Sequence, residues 1–201
     1  MIPIEDILQM PKRARRPSKL VIFLRGLPGS GKSHLTNLIK LEEEKNSGDK
    51  PKVFSIDNYF ITEQEEVISQ TKNKQTTMKY EYDSSLDETY QRSLVKSFKK
   101  AVDDDLFSLL IVDMINEKVS MMNEMDLYAT TRGFFTFVVD FYDSVSVEQA
   151  AARNIHNRTL SEIVKINNEW EPLPSHYTRL NVSLFCNQDE IENVRKPVCQ
   201  F

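Results

Sequence analysis

The stretch LVIFLRGLPGSGKS, residues 20–33, decides the fold of this chain. Residues 20–24 are all apolar, and a continuous apolar run predicts a strand that helices bury on both faces of a parallel sheet. Residues 26–33 follow as Gly-x-x-x-x-Gly-Lys-Ser, and residues 32–46 then have a helical pattern. A strand, this glycine-rich turn and a helix form the context that a phosphate-binding loop, or P-loop (Walker A motif), requires. The stretch therefore predicts a P-loop NTPase fold.

The glycines, the lysine and the serine of this loop have separate tasks. The glycines let the backbone curl, so that successive N–H groups point at a polyphosphate. Lys32 would reach the β- and γ-phosphates, and Ser33 would supply a hydroxyl to Mg²⁺. The alternative is a glycine-rich turn with an exposed lysine. We therefore expect ATP and Mg²⁺ as cofactors, and the expected nucleotide contacts are Gly26, Leu27, Pro28, Gly29, Ser30, Gly31, Lys32, Ser33 and His34.

Composition narrows the class of protein. The chain has 201 residues, of which 40% are hydrophobic and 28% charged, and its net charge of −4 argues against a surface that coats nucleic acid. Two cysteines, Cys186 and Cys199, are too few for a disulfide framework and fit a reducing compartment. No apolar run reaches the length of a signal peptide or a membrane span, so we expect a soluble intracellular protein with no membrane partner.

The rest of the chain alternates between short apolar runs and amphipathic segments. Further strands are predicted at 52–56, 109–112, 134–139 and within 178–185, which gives an α/β fold with a mainly parallel sheet of about five strands flanked by helices. Residues 1–18 are expected as an N-terminal basic linker, because Lys12-Arg13-Ala14-Arg15-Arg16 is either a solvated run or a phosphate-contacting or nuclear-import patch. Residues 19–201 form the P-loop domain, with a mobile polar insert at 61–80.

Three capping boxes are predicted to start helices. Each pairs a serine or threonine with a glutamate or glutamine three residues later. The pairs are Ser85 with Glu88, Ser146 with Gln149, and Thr159 with Glu162.

A P-loop identifies a nucleoside-triphosphate site without naming the reaction. A switch GTPase needs Asn-Lys-x-Asp, and the segment Asn73-Lys74-Gln75-Thr76 lacks the aspartate. A motor ATPase has a glutamate after the aspartate of its third strand, whereas here Met114 follows Asp113. A phosphotransferase has reason to lack that glutamate, because hydrolysis is its side reaction. Asp113 is then a carboxylate for metal-bound water, the alternative being a helix cap or a surface turn.

Asp57 is the candidate general base. It follows the second predicted strand in Ser55-Ile56-Asp57, and ligands of doubly wound folds gather at the carboxyl ends of strands. A carboxylate near the γ-phosphate can accept the proton of an attacking hydroxyl. An Asx-turn after the strand is the alternative.

Two arginines suggest a lid over the nucleotide. Arg153 and Arg158 flank a short connection in RNIHNR, and lid arginines neutralise charge on the transferring group. The lid is predicted to span 153–170. Solvated arginines on exposed helices are the alternative, and His156 is interpreted as a surface histidine.

Together these motifs resemble one family. GLPGSGKSH, SIDNYF, YEYD, IVDMIN and RNIHNR, followed by Glu-Trp-Glu-Pro, occur in the order and spacing of the C-terminal P-loop domain of YLP-motif-containing nuclear proteins, a relative of the polynucleotide kinase group. The resemblance runs from about Ile4 past Leu184. It implies an adenylate-kinase-like sheet, ATP with Mg²⁺, and nuclear, RNA-associated biology with nuclear protein partners. The kinases have Asp-Asp-Tyr-Arg where this chain has Asp57-Asn58-Tyr59-Phe60, so the base is matched while the arginine that holds the substrate phosphate is not.

The acceptor side is less defined by the sequence. Tyr80 and Tyr82 of YEYD either stack a base or pack the insert onto the sheet. Tyr59 and Asn116 of IVDMIN complete the candidate substrate-binding residues. The leading prediction is a kinase: an ATP- and Mg²⁺-dependent transferase acting on a hydroxyl of a nucleoside, nucleotide or nucleic-acid 5′ end, in the nucleus or else the cytoplasm. The alternative is a nucleotide-binding pseudokinase that serves as a scaffold in nuclear RNA–protein assemblies.

Overall fold

The computed structural model of the chain describes residues 1–47, 49–67, 74–83, 85–155, 158–183 and 185. Cys186, Cys199 and His156 lie outside the described residues. In chain order the strands and helices are β1 (Ile2–Pro3), α1 (Glu5–Leu8), β2 (Leu20–Arg25), α2 (Lys32–Ser47), β3 (Lys52–Ser55), β4 (Ile61–Val67), β5 (Lys74–Tyr80), α3 (Asp87–Asp104), β6 (Leu109–Asp113), α4 (Val119–Thr130), β7 (Phe135–Asp140), α5 (Val147–Arg153), α6 (Leu160–Asn168) and β8 (Leu180–Asn181).

A four-stranded parallel sheet forms the centre, in the order β3-β6-β2-β7. All six residues of β2 are buried, and the first five form the apolar run of residues 20–24. The register pairs Leu24 with Asp113, Ser55 with Asp113, and Arg25 with Asp140, so the carboxyl ends of the strands lie side by side. The prediction of a mainly parallel sheet is confirmed, and its register gathers the polar strand ends at one edge.

The predicted last strand contributes little to this sheet. The amide of Val138 in β7 donates to the carbonyl of Thr178 at 3.0 Å, and Val138 forms a parallel bridge with Arg179. The chain then leaves the sheet, because β8 pairs in parallel with β1 at the start of the chain. A fifth strand is therefore present at the edge only as a single bridge.

Helices cover both faces of the sheet, each over its own apolar cluster. On one face, Leu35 and Ile39 of α2 pack with Ile22 of β2 and with α1. On the other face, α3 and α4 cover a larger cluster, in which the ring of Phe98 meets the ring of Phe54 edge-on at 5.4 Å. Burying such side chains contributes about 1.5–3 kcal/mol each, so the two clusters hold the strand ends in a fixed frame.

The N-terminal segment differs from the expected basic linker. Ile4 and Leu8 are fully buried beside α2. Glu43 of α2 is also buried, and its carboxylate accepts hydrogen bonds from the guanidinium groups of Arg13 and Arg16. These two arginines hold the pKa of Glu43 below its usual value against the opposing effect of burial. A buried carboxylate requires cationic partners, so part of the basic run is committed to the fold, and Arg15 is its exposed arginine.

Within the segment 61–80, strands β4 and β5 form a hairpin, in which Ile61 lies opposite Tyr80 and Val67 opposite Lys74. The expected mobility of this insert stays a prediction. Of the predicted capping boxes, those at Ser146 and Thr159 are confirmed, with both reciprocal bonds present.

The prediction of a capping box at Ser85 is wrong. Helix α3 begins at Asp87, and the hydroxyl and amide of Ser85 instead donate to the Asp83 carboxylate.

Within the described part of the chain, no helix is both long and apolar enough to cross a membrane.

Candidate functional site

The P-loop follows β2 and passes under the end of α5. Gly29 has φ +79°, and a Cβ built there would lie 2.2 Å from the carbonyl oxygen of Ala150. Gly31 has φ +99° with open space around it. Side chains rarely adopt this left-handed region, so the loop conformation needs glycine at both positions. The turn leads into the N-terminus of α2, where the first N–H groups have no intrahelical partner and can bind an anion.

Lys32 lies inside the loop. Its ammonium donates to the carbonyl oxygens of Gly26 and Leu27, each at 2.9 Å, and the residue is buried. Burial lowers the pKa of Lys32 to about 8, while Asp113 and Asp57 oppose this change and Arg158 adds to it. Asp113, Asp57 and Arg158 therefore lie close enough to Lys32 to affect its charge.

Ser33, Thr36 and Asp113 form a cluster of oxygen atoms at the base of the site. Asp113 ends β6 and is buried, whereas Ser33 and Thr36 lie on successive turns of α2. The Thr36 hydroxyl donates to Asp113 Oδ2 at 3.1 Å, and the Ser33 hydroxyl lies near the same carboxylate. Burial raises the pKa of Asp113, and the charge of Lys32 together with the two hydroxyls counteracts this rise. Thr36 was not singled out from the sequence, although it lies one turn beyond the serine on the same helix.

Asp57 lies just beyond β3 and is half-buried. The Tyr80 hydroxyl, at the end of β5, donates to Asp57 Oδ1 at 3.0 Å. Burial, together with the Asp57 charge, raises the pKa of Tyr80 well above its usual value, so the tyrosine remains a donor at neutral pH. The hairpin thereby orients the candidate base. Sequence analysis placed Tyr80 at the acceptor without foreseeing this bond.

A cleft of about 490 Å³ brings these groups together. This volume lies in the range of small-molecule sites. Its walls come from α2, the end of β3, the hairpin, the end of β6 and the connection between α5 and α6. The lining residues are Ser33, Thr36, Asn37, Lys40, Val53, Ser55, Asp57, Asn58, Ile61, Met78, Tyr80, Asp113 and Ile155.

The two lid arginines have different environments. The Arg158 side chain is only 9% exposed, and its guanidinium carbon lies 4.1 Å from the centre of the Tyr82 ring. Arg153 is exposed at the end of α5. Among the contacts of the described residues, none joins the Arg153 side chain to the cleft, so the structure brings Arg158 and not Arg153 to the site.

Three of the candidate acceptor residues pack elsewhere. Tyr59 stacks on Tyr90 of α3 at 5.4 Å. Asn116 is buried, with φ +53°, and its amide donates to the carbonyl of Leu24 at 2.8 Å. The Tyr82 hydroxyl donates to Asp87 at 3.1 Å. Tyr80 is therefore the predicted acceptor residue that lines the cleft.

Sequence analysis missed Arg25, the fully buried last residue of β2. Its guanidinium donates to the carbonyls of Asn116, Glu117 and Glu171, and it lies 4.4 Å from the centre of the Trp170 ring. These bonds fix the loop after β6 and the segment after α6 against the start of the P-loop. An arginine that ends an otherwise apolar buried strand is the signal that could have revealed it.

The chemistry of these side chains fits Mg²⁺ and a polyphosphate. Mg²⁺ prefers oxygen ligands and is usually bound by one or two carboxylates together with substrate phosphates. Ser33 and Asp113 supply such oxygens next to the loop, and among the described residues no three His, Cys, Asp or Glu side chains cluster as an all-protein metal site. These oxygens would suit a Mg²⁺ ion whose other ligands come from a nucleotide.

Comparisons with known proteins agree with this geometry. Residues 4–74 match the family model described as the KAP family P-loop domain. Over 195 residues, 95% of its length, the chain is 40% identical to YLP motif-containing protein 1 of Homo sapiens. The chain spans 9% of the length of that relative.

Two solved structures share the fold. The APS kinase CysC of Mycobacterium tuberculosis, in complex with AMPPNP and APS, has a TM-score of 0.51 and 14% identity, and the match covers 83% of this chain and 89% of the other. Kti12 of Chaetomium thermophilum, in complex with ADP-AlF3, has a TM-score of 0.50 and 15% identity, with 87% and 94% covered. The P-loop NTPase fold predicted from residues 20–33 is confirmed.

Proposed function

This chain is a relative of a segment of the YLP motif-containing proteins, as its motifs indicated, and from that premise we propose that it is an ATP- and Mg²⁺-dependent phosphotransferase. Its acceptor is a hydroxyl of a nucleoside, a nucleotide or a nucleic-acid 5′ end. The transferase domain includes the N-terminal segment that packs on α2. Its proposed setting is nuclear and RNA-associated, with cytoplasmic activity as the alternative.

The observation that carries the proposal is the joint lining of one cleft by Ser33, Asp57 and Asp113. A hydrolase needs a carboxylate that activates water, whereas a kinase needs a base that faces an acceptor and metal ligands that face the nucleotide. The α2 side of the cleft has Ser33 and the P-loop, and the hairpin side has Asp57 held by Tyr80. A nucleotide on the P-loop would therefore face Asp57 across the cleft.

In the proposed reaction the P-loop amides and Lys32 bind the β- and γ-phosphates. Ser33 and Asp113 would hold Mg²⁺, which neutralises phosphate charge when bound. Asp57 accepts the proton of the acceptor hydroxyl, whose oxygen bonds to the γ-phosphorus while the bond to the bridging oxygen breaks and ADP leaves. Arg158 stabilises the charge that develops on the transferring group.

One observation favours the second candidate, a nucleotide-binding scaffold. Phe60 replaces the arginine of the polynucleotide kinases and is 2% exposed. Its ring lies 5.0 Å from that of Tyr82 and 4.9 Å from that of Tyr90. An apolar side chain in an aromatic cluster gives no cation to an acceptor phosphate, so an acceptor that requires one there would not bind.

The test measures transfer from γ-labelled ATP to a panel of nucleosides, nucleotides and 5′-hydroxyl oligonucleotides. Asp57→Asn keeps the shape of the side chain but removes the base, so transfer should fall by about 10²–10⁴-fold with ATP affinity nearly unchanged. Asp105→Asn is the matched control, since Asp105 is exposed, pairs with Lys19 and has φ +53°, which asparagine tolerates. Full activity of Asp57→Asn would exclude the base. ATP binding without transfer to any acceptor would favour the scaffold.

A further inference from the structure

The Arg158 side chain contacts residues 80–87, the acceptor segment, which lead from the end of β5 into α3. The residue precedes α6, and the amide of Asn154 donates to its backbone carbonyl at 2.9 Å. Its side chain extends to Tyr82 and Asp87, which belong to the connection between the hairpin and α3 and to the first turn of α3. The guanidinium thus links the lid to the part of the chain that carries Tyr80.

Tyr82 contacts the Arg158 guanidinium, the Phe60 ring and the Asp87 carboxylate. The guanidinium carbon lies 4.1 Å from the ring centre, well within the distance of a cation–π interaction. The centre of the Phe60 ring lies 5.0 Å from that of Tyr82. The Tyr82 hydroxyl donates a hydrogen bond to Asp87 Oδ2 at 3.1 Å. Burial, with the Asp87 bond, raises the pKa of Tyr82 to about 12, although Arg158 opposes the rise.

Asp87 completes the contact. Its Oδ2 accepts the Tyr82 hydrogen bond and lies 3.8 Å from a terminal nitrogen of Arg158. The Asp87 carboxylate therefore attracts the Arg158 guanidinium and also orients the Tyr82 ring against which the guanidinium packs. Arg158 in turn is close enough to influence the charge states of Lys32 and Tyr80.

We propose that Tyr82 and Asp87 are positioning residues that hold the Arg158 guanidinium at the phosphate-transfer site. This inference rests on the proposed function for the catalytic role of Arg158, whereas the docking itself does not. It assigns Tyr82 a role different from base stacking, because the guanidinium covers a face of its ring. The lid and the acceptor segment then act as one unit. Substitutions on either side of the contact should therefore lower the rate of transfer in the same way.

The docking is tested by NMR of protein labelled with ¹⁵N-arginine, with the Arg158 Nε–H signal assigned by its loss in Arg158→Lys. A proton near an aromatic face is shifted upfield by the ring current. We expect Tyr82→Leu to abolish this shift and Tyr82→Phe to keep it. An Arg158 signal that Tyr82→Leu leaves in place would overturn the proposal whether or not the protein transfers phosphate.

The positioning role is tested by a double-mutant cycle on phosphate transfer and ATP affinity. Tyr82→Leu should lower kcat about tenfold, the upper part of the range for a cation–π contact, and leave the Kd for ATP unchanged. In an Arg158→Ala background it should have no further effect on kcat. Asp87→Asn should behave in the same way with a smaller loss, and it remains available if Tyr82→Leu fails to fold.

Tyr90→Leu is the matched control for a loosened aromatic cluster. Tyr90 contacts Phe60 and Tyr59, and Arg158 is not among its ring contacts in the described part of the chain. Its effect should therefore add to that of Arg158→Ala. Additive effects of Tyr82→Leu and Arg158→Ala on kcat would overturn the positioning role. If the parent binds ATP and transfers nothing, the proposed function fails, and the NMR shift alone decides the docking.

Discussion

The phosphate side and the acceptor side of the cleft are built in different ways. The phosphate side consists of a backbone turn between β2 and α2, with Lys32 bonded to the loop carbonyls and Gly29 pressed against Ala150. The acceptor side consists of side chains from the end of β5 and from the segments that flank the hairpin, in which Phe60, Tyr80 and Tyr82 pack together. A backbone site depends on few residue identities, whereas a side-chain site changes with each substitution.

This difference explains why one side has a specific motif and the other does not. A loop whose amides bind a polyphosphate serves any reaction of that nucleotide, so it says little about the acceptor. On the acceptor side, Phe60 is a buried apolar ring that packs against other aromatic side chains. Variants on the two sides should therefore separate nucleotide affinity from turnover.

The largest expected effect is the loss of ATP affinity in Lys32→Ala. Removing one partner of a buried charge pair costs about 2–5 kcal/mol, which corresponds to about a 30-fold to several-thousand-fold weaker Kd. Lys40→Ala is the matched control, since Lys40 lines the same cleft two turns later on the same helix but lies outside the P-loop. Isothermal titration with Mg-ATP measures both. Equal losses in the two variants would contradict the division between the sides.

The next effect concerns the stability of the phosphate side. Gly29→Ala should lower the free energy of unfolding by about 2–4 kcal/mol, because it adds a left-handed alanine and a clash with the Ala150 carbonyl. Gly31→Ala has the same backbone cost with open space around its Cβ, so about 1–2 kcal/mol is expected. Urea denaturation distinguishes them. A smaller loss at Gly29 than at Gly31 would show that the packing against α5 does not constrain the loop.

A pH titration probes the same side without a large structural change. Lys32 has a pKa of about 8, so it is charged at neutral pH and loses its proton as the pH rises through 8. A bound polyphosphate favours the charged form, so binding above pH 8 requires proton uptake, and affinity should fall by up to about tenfold per pH unit there. Lys32→Ala should show a flat profile from pH 7.5 to 9.5. A parent profile equally flat would argue against a lysine with this pKa.

The phosphate side could be predicted from the sequence because each part is local. The strand, the glycines, Lys32 and Ser33 are contiguous, and Asp113 ends an apolar run that the parallel register aligns with β2. The rest depended on contacts between distant residues. Arg25 bonds the carbonyl of Asn116 across 91 positions, and Arg13 bonds Glu43 across 30. Such partners follow from the three-dimensional packing, which a single sequence does not specify.

The smallest expected effect is that of Phe60→Leu. This variant tests whether the aromatic side chains of the acceptor side contribute to catalysis or only stabilise the fold. The substitution removes ring contacts with Tyr80, Tyr82 and Tyr90 while keeping an apolar side chain, so the loss of stability should stay near 1 kcal/mol. ATP affinity should not change, because the P-loop does not contact this cluster among the described residues. Turnover should fall a few-fold, since Tyr80 orients Asp57 and Tyr82 lies against Arg158. A drop in ATP affinity as large as the drop in turnover would mean that the two sides do not act separately, and unchanged turnover would mean that the aromatic cluster only stabilises the fold.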